Sequence, residues 1–316
     1  MLRRTFLAGM ASLPSLLSGS PRVLEIGQLS ASTASLSGMT FEQSLAKIRE
    51  LGFGGVDIIT SVGNKHSIGP IPGAVVAEMS EEERRRCRAA VGRFKHVSTH
   101  LPFVGLRPLA ADPALRKAAR DQLHRAIDDS GFWGASVAAV HAPSEPGKTY
   151  AELRGELIDL FHELGEHAAK VKLRLGIETM QPNRIKDYLA LIRDVNHDFV
   201  GGLVDVGHIG YYRADLQVAD ADRATPKGVR RYNDLLLEVV QELGPKLLHF
   251  HVHDVRPSDW RDHRTIGSGL IDWARLLGYL SKIGYPGALV IELEESPPID
   301  ALVESRLFFE RTIRSL

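Results

Sequence analysis

Eight times along this chain a short run rich in Val, Ile and Leu gives way to a longer amphipathic stretch. The apolar runs are VLEIGQ (23–28), GVDII (55–59), HVSTH (96–100), SVAAVH (136–141), LRLGIE (173–178), FVGGLVD (199–205), LLHFHVHD (247–254) and ALVIELE (288–294). Most are too apolar to keep one face in water, which is the pattern of parallel strands covered on both sides. Helical patterns follow them at 41–52, 80–94, 112–131, 150–171, 185–195, 229–244, 271–284 and 299–313. Several close on glycine, at Gly52, Gly131, Gly244 and Gly284, as helix C-termini commonly do. Strict strand–helix succession predicts an α/β chain closed into a (β/α)8 TIM barrel. An open doubly wound sheet usually carries a glycine-rich first turn, and the first junction, IGQLSASTASLSGMT, has no G-x-G-x-x-G. The longest irregular stretches, 60–79, 101–111 and 212–228, all follow predicted strands, where barrel active-site loops belong.

Composition narrows the partners. Lys plus Arg and Asp plus Glu both number 39, so no net basic field draws in nucleic acid or an anionic membrane. The single cysteine, Cys87, lies in the charged run EEERRRCRAA and is expected on a helix surface. The amino terminus, MLRRTFLAGMASLPSLLSGS, places Arg3 and Arg4 before a mildly apolar run from Ala8 to Leu17. That run falls short of the roughly 20 residues a membrane-spanning helix needs and suits the core of a signal peptide. RRTFL resembles a twin-arginine export signal. We therefore expect residues 1–21 to be a signal and 22–316 a single catalytic barrel, periplasmic or otherwise exported. No cysteine near residue 20 offers a lipid anchor, so no stable membrane association is expected after export.

The stretch HFHVHD (249–254) sets three of the chain's 13 histidines at every second position. Alternate strand residues share a face, so His249, His251 and His253 point one way while Phe250 and Val252 point the other. His249 and His253 stand about 13 Å apart along a strand, so one metal cannot take all three. His251, near the strand's carboxyl end, is best placed for the barrel mouth. Other runs end on acids: Glu178, Asp205 and Glu292. Three carboxylates and an imidazole converging on one barrel end are costly unless something neutralises them. A divalent cation does so directly, and mixed oxygen and nitrogen ligands suit Mn²⁺, Mg²⁺, Co²⁺ or Zn²⁺. Separate ion pairs with Arg or Lys are the alternative.

The motifs GIE, LVDVGH, HVHD with a later IGSGLIDW, and GALVIE occur in this order along the last four units. Together they resemble the sugar phosphate isomerase/epimerase-like family of the xylose isomerase-like barrel superfamily. That superfamily also holds tagatose 3-epimerase-type enzymes, inosose dehydratases and endonuclease IV. The resemblance spans roughly residues 22–316. It implies one divalent metal ion, Mn²⁺ foremost, held by Glu178, Asp205, His251 and Glu292. It also implies that Glu178 and Glu292 flank a carbohydrate or cyclitol and exchange a proton beside its carbonyl through an enediolate. His208 matches a histidine that contacts a substrate oxygen, and homodimers are common among such barrels. His100, His141, His253, His263 and Arg184 complete the expected substrate-binding set. Export favours an unphosphorylated or keto sugar over a sugar phosphate.

Departures from the family pattern qualify this reading. Arg184 stands where the epimerases place a second glutamate, and His253 replaces the lysine often found in H-x-K-D. Endonuclease IV is the sharpest rival, because His100, His141 and His263 match further zinc ligands. Arg261, however, replaces the aspartate of its D-x-H motif. A multi-zinc hydrolase and a non-catalytic sugar-binding barrel thus remain as alternatives. Trp260, Trp273 and Phe103 are candidates for sugar stacking or a pocket wall. Arg213 and Arg256 are candidates for holding an anionic group.

Overall fold

A computed structural model describes residues 24–66 and 68–316. The signal segment expected at 1–21 lies outside the described residues. Eight strands form one closed parallel barrel: β1 (Leu29–Ser32), β2 (Gly55–Ile59), β3 (His96–His100), β4 (Val137–Val140), β5 (Arg174–Glu178), β6 (Val200–Asp205), β7 (Leu247–Val252) and β8 (Leu289–Ile291). Neighbours in sequence are neighbours in the barrel, and β1 pairs with β8 through Ser30 opposite Val290 to close it. Eight helices form the outer layer: α1 (Phe41–Glu50), α2 (Glu81–Val91), α3 (Pro113–Trp133), α4 (Tyr150–Lys170), α5 (Ile185–Val195), α6 (Pro226–Leu243), α7 (Trp273–Lys282) and α8 (Pro298–Arg314). No helix among the described residues is long and apolar enough to cross a membrane.

Local chemistry sets the helix starts. Thr40 with Gln43, Ser80 with Glu83 and Thr149 with Glu152 form reciprocal capping boxes at α1, α2 and α4, satisfying backbone N–H groups the first turn leaves free. Asp112 and Thr225 cap α3 and α6, each followed by proline at the first helical position. The closing glycines Gly52, Gly244 and Gly284 have positive φ as expected. Gly131 does not end α3, which runs on to Trp133 and is capped by left-handed Gly134. Gly131 instead permits close packing, since a Cβ there would meet Val171 Cβ at 2.8 Å.

The first strand is displaced from the expected 23–28 to Leu29–Ser32. Residues Ile26–Gln28 form a 3-10 turn. The Gln28 amide donates to the carbonyls of Tyr285 (3.0 Å) and Gly287 (2.7 Å), tying that turn to the approach to β8. LSAS carries no β-branched or aromatic residue, yet its small side chains fit a tight pairing. A Cβ on Gly55 of β2 would lie 2.1 Å from Ser30 Oγ. Cys87 also departs from expectation, being buried on the inner face of α2 with Val91.

Two features aim the mouth of the barrel. On β6, Gly201 and Gly202 leave no room for a side chain: a Cβ on Gly202 would meet the Tyr188 hydroxyl at 2.9 Å. Tyr188 of α5 donates from that hydroxyl toward the carbonyls of Ile177 (2.9 Å) and Leu203 (3.0 Å), bridging β5 and β6. The aspartate that closes HFHVHD organises the loop after β7. Asp254 Oδ1 accepts from the backbone N–H of Val255 (2.9 Å) and Ile271 (3.1 Å), and Oδ2 from Gly267 N–H (2.8 Å) and Trp273 Nε1–H (3.1 Å). Asp254→Ala would leave these donors buried without an acceptor. It should lower the unfolding free energy by about 3 kcal/mol, read as a lower denaturation midpoint at an unchanged slope.

Candidate active site at the carboxyl end of the barrel

Strand register brings the expected ligands together. Asp205, the last residue of β6, pairs with His251 on β7, and His251 pairs with Val290 on β8, two residues before Glu292. Glu178 ends β5. His251 Nδ1 lies 3.2 Å from Glu178 Oε1 and 3.1 Å from Glu292 Oε2, with all three side chains buried. One ligand atom each from Glu178, Asp205 and His251 falls within a mutual 4.8 Å. Asp205 is locked in place: its Oδ1 accepts from the N–H of Gly207 (2.8 Å) and His208 (2.9 Å). Thr179 ties its backbone down by donating to Asp205 O and accepting from Asp205 N–H, both at 3.0 Å.

The expected histidines surround this centre. His141 Nε2 is 2.8 Å and His100 Nε2 3.3 Å from Glu178 Oε2. The other nitrogen of His100, Nδ1, is 2.8 Å from the Leu101 carbonyl, which holds Nε2 toward the glutamate. His208 Nδ1 lies 2.8 Å from Thr179 O. His253, just past the end of β7, puts Nε2 3.2 Å from Asp205 Oδ1 and stacks on His263 with ring centroids 4.1 Å apart. His263 pairs with Asp262 at 3.2 Å. Phe103 lies flat on His141, centroids 4.1 Å apart and planes 14° from parallel, and is 45% exposed, which makes it a wall of the mouth.

Other candidates are committed elsewhere. Arg184 is joined to the centre by no contact: its guanidinium makes two hydrogen bonds to Asp215, at 3.1 and 3.2 Å. Arg256 is paired with Asp259. Trp273 is buried against Phe309 and donates to Asp254. Trp260 is buried under the guanidinium groups of Arg213 and Arg223. Neither tryptophan presents a face to a sugar. Three site residues escape a search by chemical type, namely Thr179, Gly207 and Asp262. Gly207 is the G of DVGH, and a Cβ there would lie 2.2 Å from His253 Nε2, so only glycine lets that ring reach Asp205.

Electrostatically the centre is a set of acids held ionised by imidazoles. Burial pushes the Glu178 carboxyl up, but His141, His251 and His100 outweigh it and hold the group well below the usual range. Glu292 is likewise lowered, the attraction and hydrogen bond of His251 exceeding the effect of burial. Asp205 is lowered against burial by His208 and His253. His251 shows the reverse balance: burial opposes its charge, yet Glu178 and Glu292 raise it well above its ordinary value. His263 is raised to about 9 by Asp262, Asp205 and Glu292 despite burial. His249, one pleat below, is pushed down to about 3, chiefly by burial.

The donor set fits a divalent cation. Asp205 Oδ2 is a buried carboxylate oxygen without a hydrogen-bond donor, and Glu178 Oε2 has only the imidazole nitrogens of His141 and His100 to face. Such atoms are expensive to leave unsatisfied, and mixed carboxylate and imidazole ligands suit Mn²⁺, Mg²⁺, Co²⁺ and Zn²⁺ alike.

Comparison with known proteins follows the fold. The profile of the family described as Xylose isomerase-like TIM barrel matches residues 45–312. The uncharacterized protein MJ1311 of Methanocaldococcus jannaschii is 25% identical over 206 residues, covering 62% of this chain and 64% of that protein. The chain thus spans under two thirds of the curated relative it matches. A solved D-tagatose 3-epimerase-like protein superposes with a TM-score of 0.66 at 21% identity, over 90% of this chain and 97% of that one. A 3-keto-D-glucoside 4-epimerase from E. coli, in its apo form, gives 0.66 at 16% identity, over 92% and 99%. At these identities the structures speak for the fold, and the profile speaks for the family. The chain belongs to the xylose isomerase-like TIM barrel family.

Proposed function

We propose that this protein is a divalent-metal-dependent sugar epimerase or isomerase acting on an unphosphorylated keto sugar or glycoside. The observation that carries the reading is the pair Glu178 and Glu292, set on either side of His251 Nδ1 at 3.2 and 3.1 Å. Glu178, Asp205, His251 and Glu292 would hold the cation. When bound, that cation supplies Lewis-acid polarisation of a carbonyl and its neighbouring hydroxyl. Both glutamates are held ionised, so each can accept a proton. One would remove the proton from the carbon beside the carbonyl. The other, first protonated from solvent, would return a proton to the opposite face, and the first would then lose its proton to solvent. His100, His141, His208, His253 and His263 supply hydrogen bonds to hydroxyls, and Phe103 closes the apolar side. The carbohydrate epimerases among the similar folds, one named for a 3-keto-glucoside, support this substrate class. Export through the twin-arginine segment is part of the same proposal, since an exported enzyme meets few sugar phosphates.

A second reading has its own observation. His100, His141 and Glu178 form a group within 4.8 Å, and so do Asp205, His208 and His263. Such an arrangement suits two or three zinc ions and hydrolytic chemistry. Metal content separates the readings. We expect about one divalent ion per chain, lost in both Glu178→Ala and His251→Ala; two or three zincs would favour the hydrolase.

Proton transfer is tested by solvent exchange. In D₂O with Mn²⁺, the protein should introduce deuterium beside the carbonyl of a ketose or 3-keto-glucoside, and Glu292→Gln should slow exchange about 10²–10⁴-fold. Metal-independent sugar binding without exchange is the outcome for a binding barrel.

Cation uptake should also be linked to pH. The metal-free structure favours a protonated His251, and a cation can take Nδ1 only after that proton leaves. Affinity for Mn²⁺ should therefore rise with pH, about tenfold per unit while His251 remains protonated. Calorimetry in buffers of different ionisation enthalpy should find about one proton released per ion.

A further inference from the structure

A buried aspartate deeper in the barrel has no part in the chemistry above. Asp57, in the middle of β2, is fully buried. One of its carboxylate oxygens and one ring nitrogen each from His249 and His251 lie within a mutual 4.8 Å. Its Oδ1 accepts from Ser98 Oγ of β3 at 2.6 Å, while Oδ2 is buried without a donor. His251 presents the complementary gap. Its Nδ1 faces Glu178 and Glu292, and its Nε2 is buried without an acceptor. Histidines that bind metal through one nitrogen generally donate the other N–H to a carboxylate or carbonyl, which fixes tautomer and ring orientation.

We propose that Asp57 is the positioning residue of His251. No hydrogen bond joins the two in this structure, and a small turn of either side chain within the 4.8 Å group lets the free oxygen accept from Nε2–H and hold Nδ1 toward Glu178 and Glu292. Ser98 fixes the carboxylate from the other side. His249 is the competing donor, since its Nε2 also lacks a partner. His251 is the ring whose other nitrogen already faces Glu178 and Glu292, so it is the one whose orientation a hydrogen bond from below would fix. HFHVHD then divides its labour, with His251 directed by Asp57, His253 set against Asp205, and Asp254 holding the following loop. The hydrogen bond needs no cation, and only its consequence for cation affinity rests on the function proposed above.

The test is imidazole ¹H–¹⁵N spectroscopy of the metal-free full-length protein, followed by Mn²⁺ titration. Asp57→Leu keeps the approximate shape without an acceptor, and Asp57→Asn keeps an oxygen without the charge. The wild type should show a slowly exchanging, downfield His251 Nε2–H. Asp57→Leu should move that signal and weaken Mn²⁺ binding about 10- to 100-fold, with Asp57→Asn restoring part of both. A wild-type His251 lacking a proton on Nε2 overturns the proposal even if no variant folds. So does a His251 signal unmoved in Asp57→Leu, or a response confined to His249. If the wild type takes up Mn²⁺, an affinity unchanged in Asp57→Leu also overturns it. An Asp57-dependent Nε2–H signal in a wild type that takes up no Mn²⁺ supports the positioning role and overturns the metal-dependent function.

Discussion

Glu178, Asp205 and Glu292 lie out of water at one end of a closed barrel, and the rest of the site is organised by what neutralises them. Burial alone would protonate such acids. Here imidazoles keep them ionised, with His251 between two glutamates and His253 and His208 beside Asp205. The balance is provisional in a chemical sense, because the proton that Glu178 and Glu292 stabilise on His251 occupies the nitrogen a cation would take. Proton and cation are therefore competitors for one arrangement of side chains, and exchanging them needs no rearrangement of the strands. That economy follows from the register of β6, β7 and β8, which sets Asp205 level with His251 and brings Glu292 in two residues above the partner of His251.

Holding charged groups to within a fraction of an ångström requires rigid surroundings. The chain supplies them with groups that carry no chemistry. Tyr188 bridges the backbones of the two strands that end in Glu178 and Asp205. Thr179 binds Asp205 through both backbone groups, and Gly207 removes the Cβ that would displace His253. Asp254 gathers four donors and fixes the path of the loop that carries Asp262 and His263. The flexible element of a barrel site, its set of loops, is in this way anchored to the strands that carry the ligands.

This division explains what the sequence discloses. An acid closing a run such as LRLGIE or ALVIE is conspicuous because nothing in the strand itself satisfies it, and Glu178 and Glu292 were legible for that reason. The three histidines of HFHVHD were legible through the two-residue period of a strand. Elements stabilised by distant partners were not. LSAS is a strand because Gly55 approaches Ser30, a fact 25 positions away in the chain. Cys87 is buried because the inner face of α2 is narrow, and charge on the rest of the helix masks it. Arg184 sits where a substrate contact was expected, but its partner Asp215 comes from a different loop. Thr179 and Gly207 act through backbone geometry, for which residue type gives little signal.

The same physics bears on how many cations the barrel can hold. Three groups of potential ligands share the mouth, but they are not equally free to bind. At the outermost group, a carboxylate from Asp262 pairs with His263 and, with Asp205 and Glu292, raises it to about 9. At neutral pH that ring is an imidazolium and offers a cation no lone pair on either nitrogen. Tyr211 donates to the other Asp262 oxygen at 3.1 Å, consolidating the pair. At the inner group the reverse holds, because burial keeps His141 neutral and its Nε2 faces Glu178 Oε2. A cation at the outer position would have to displace the proton of His263, as one at the centre would have to displace that of His251, whereas His141 beside the centre already offers a neutral nitrogen.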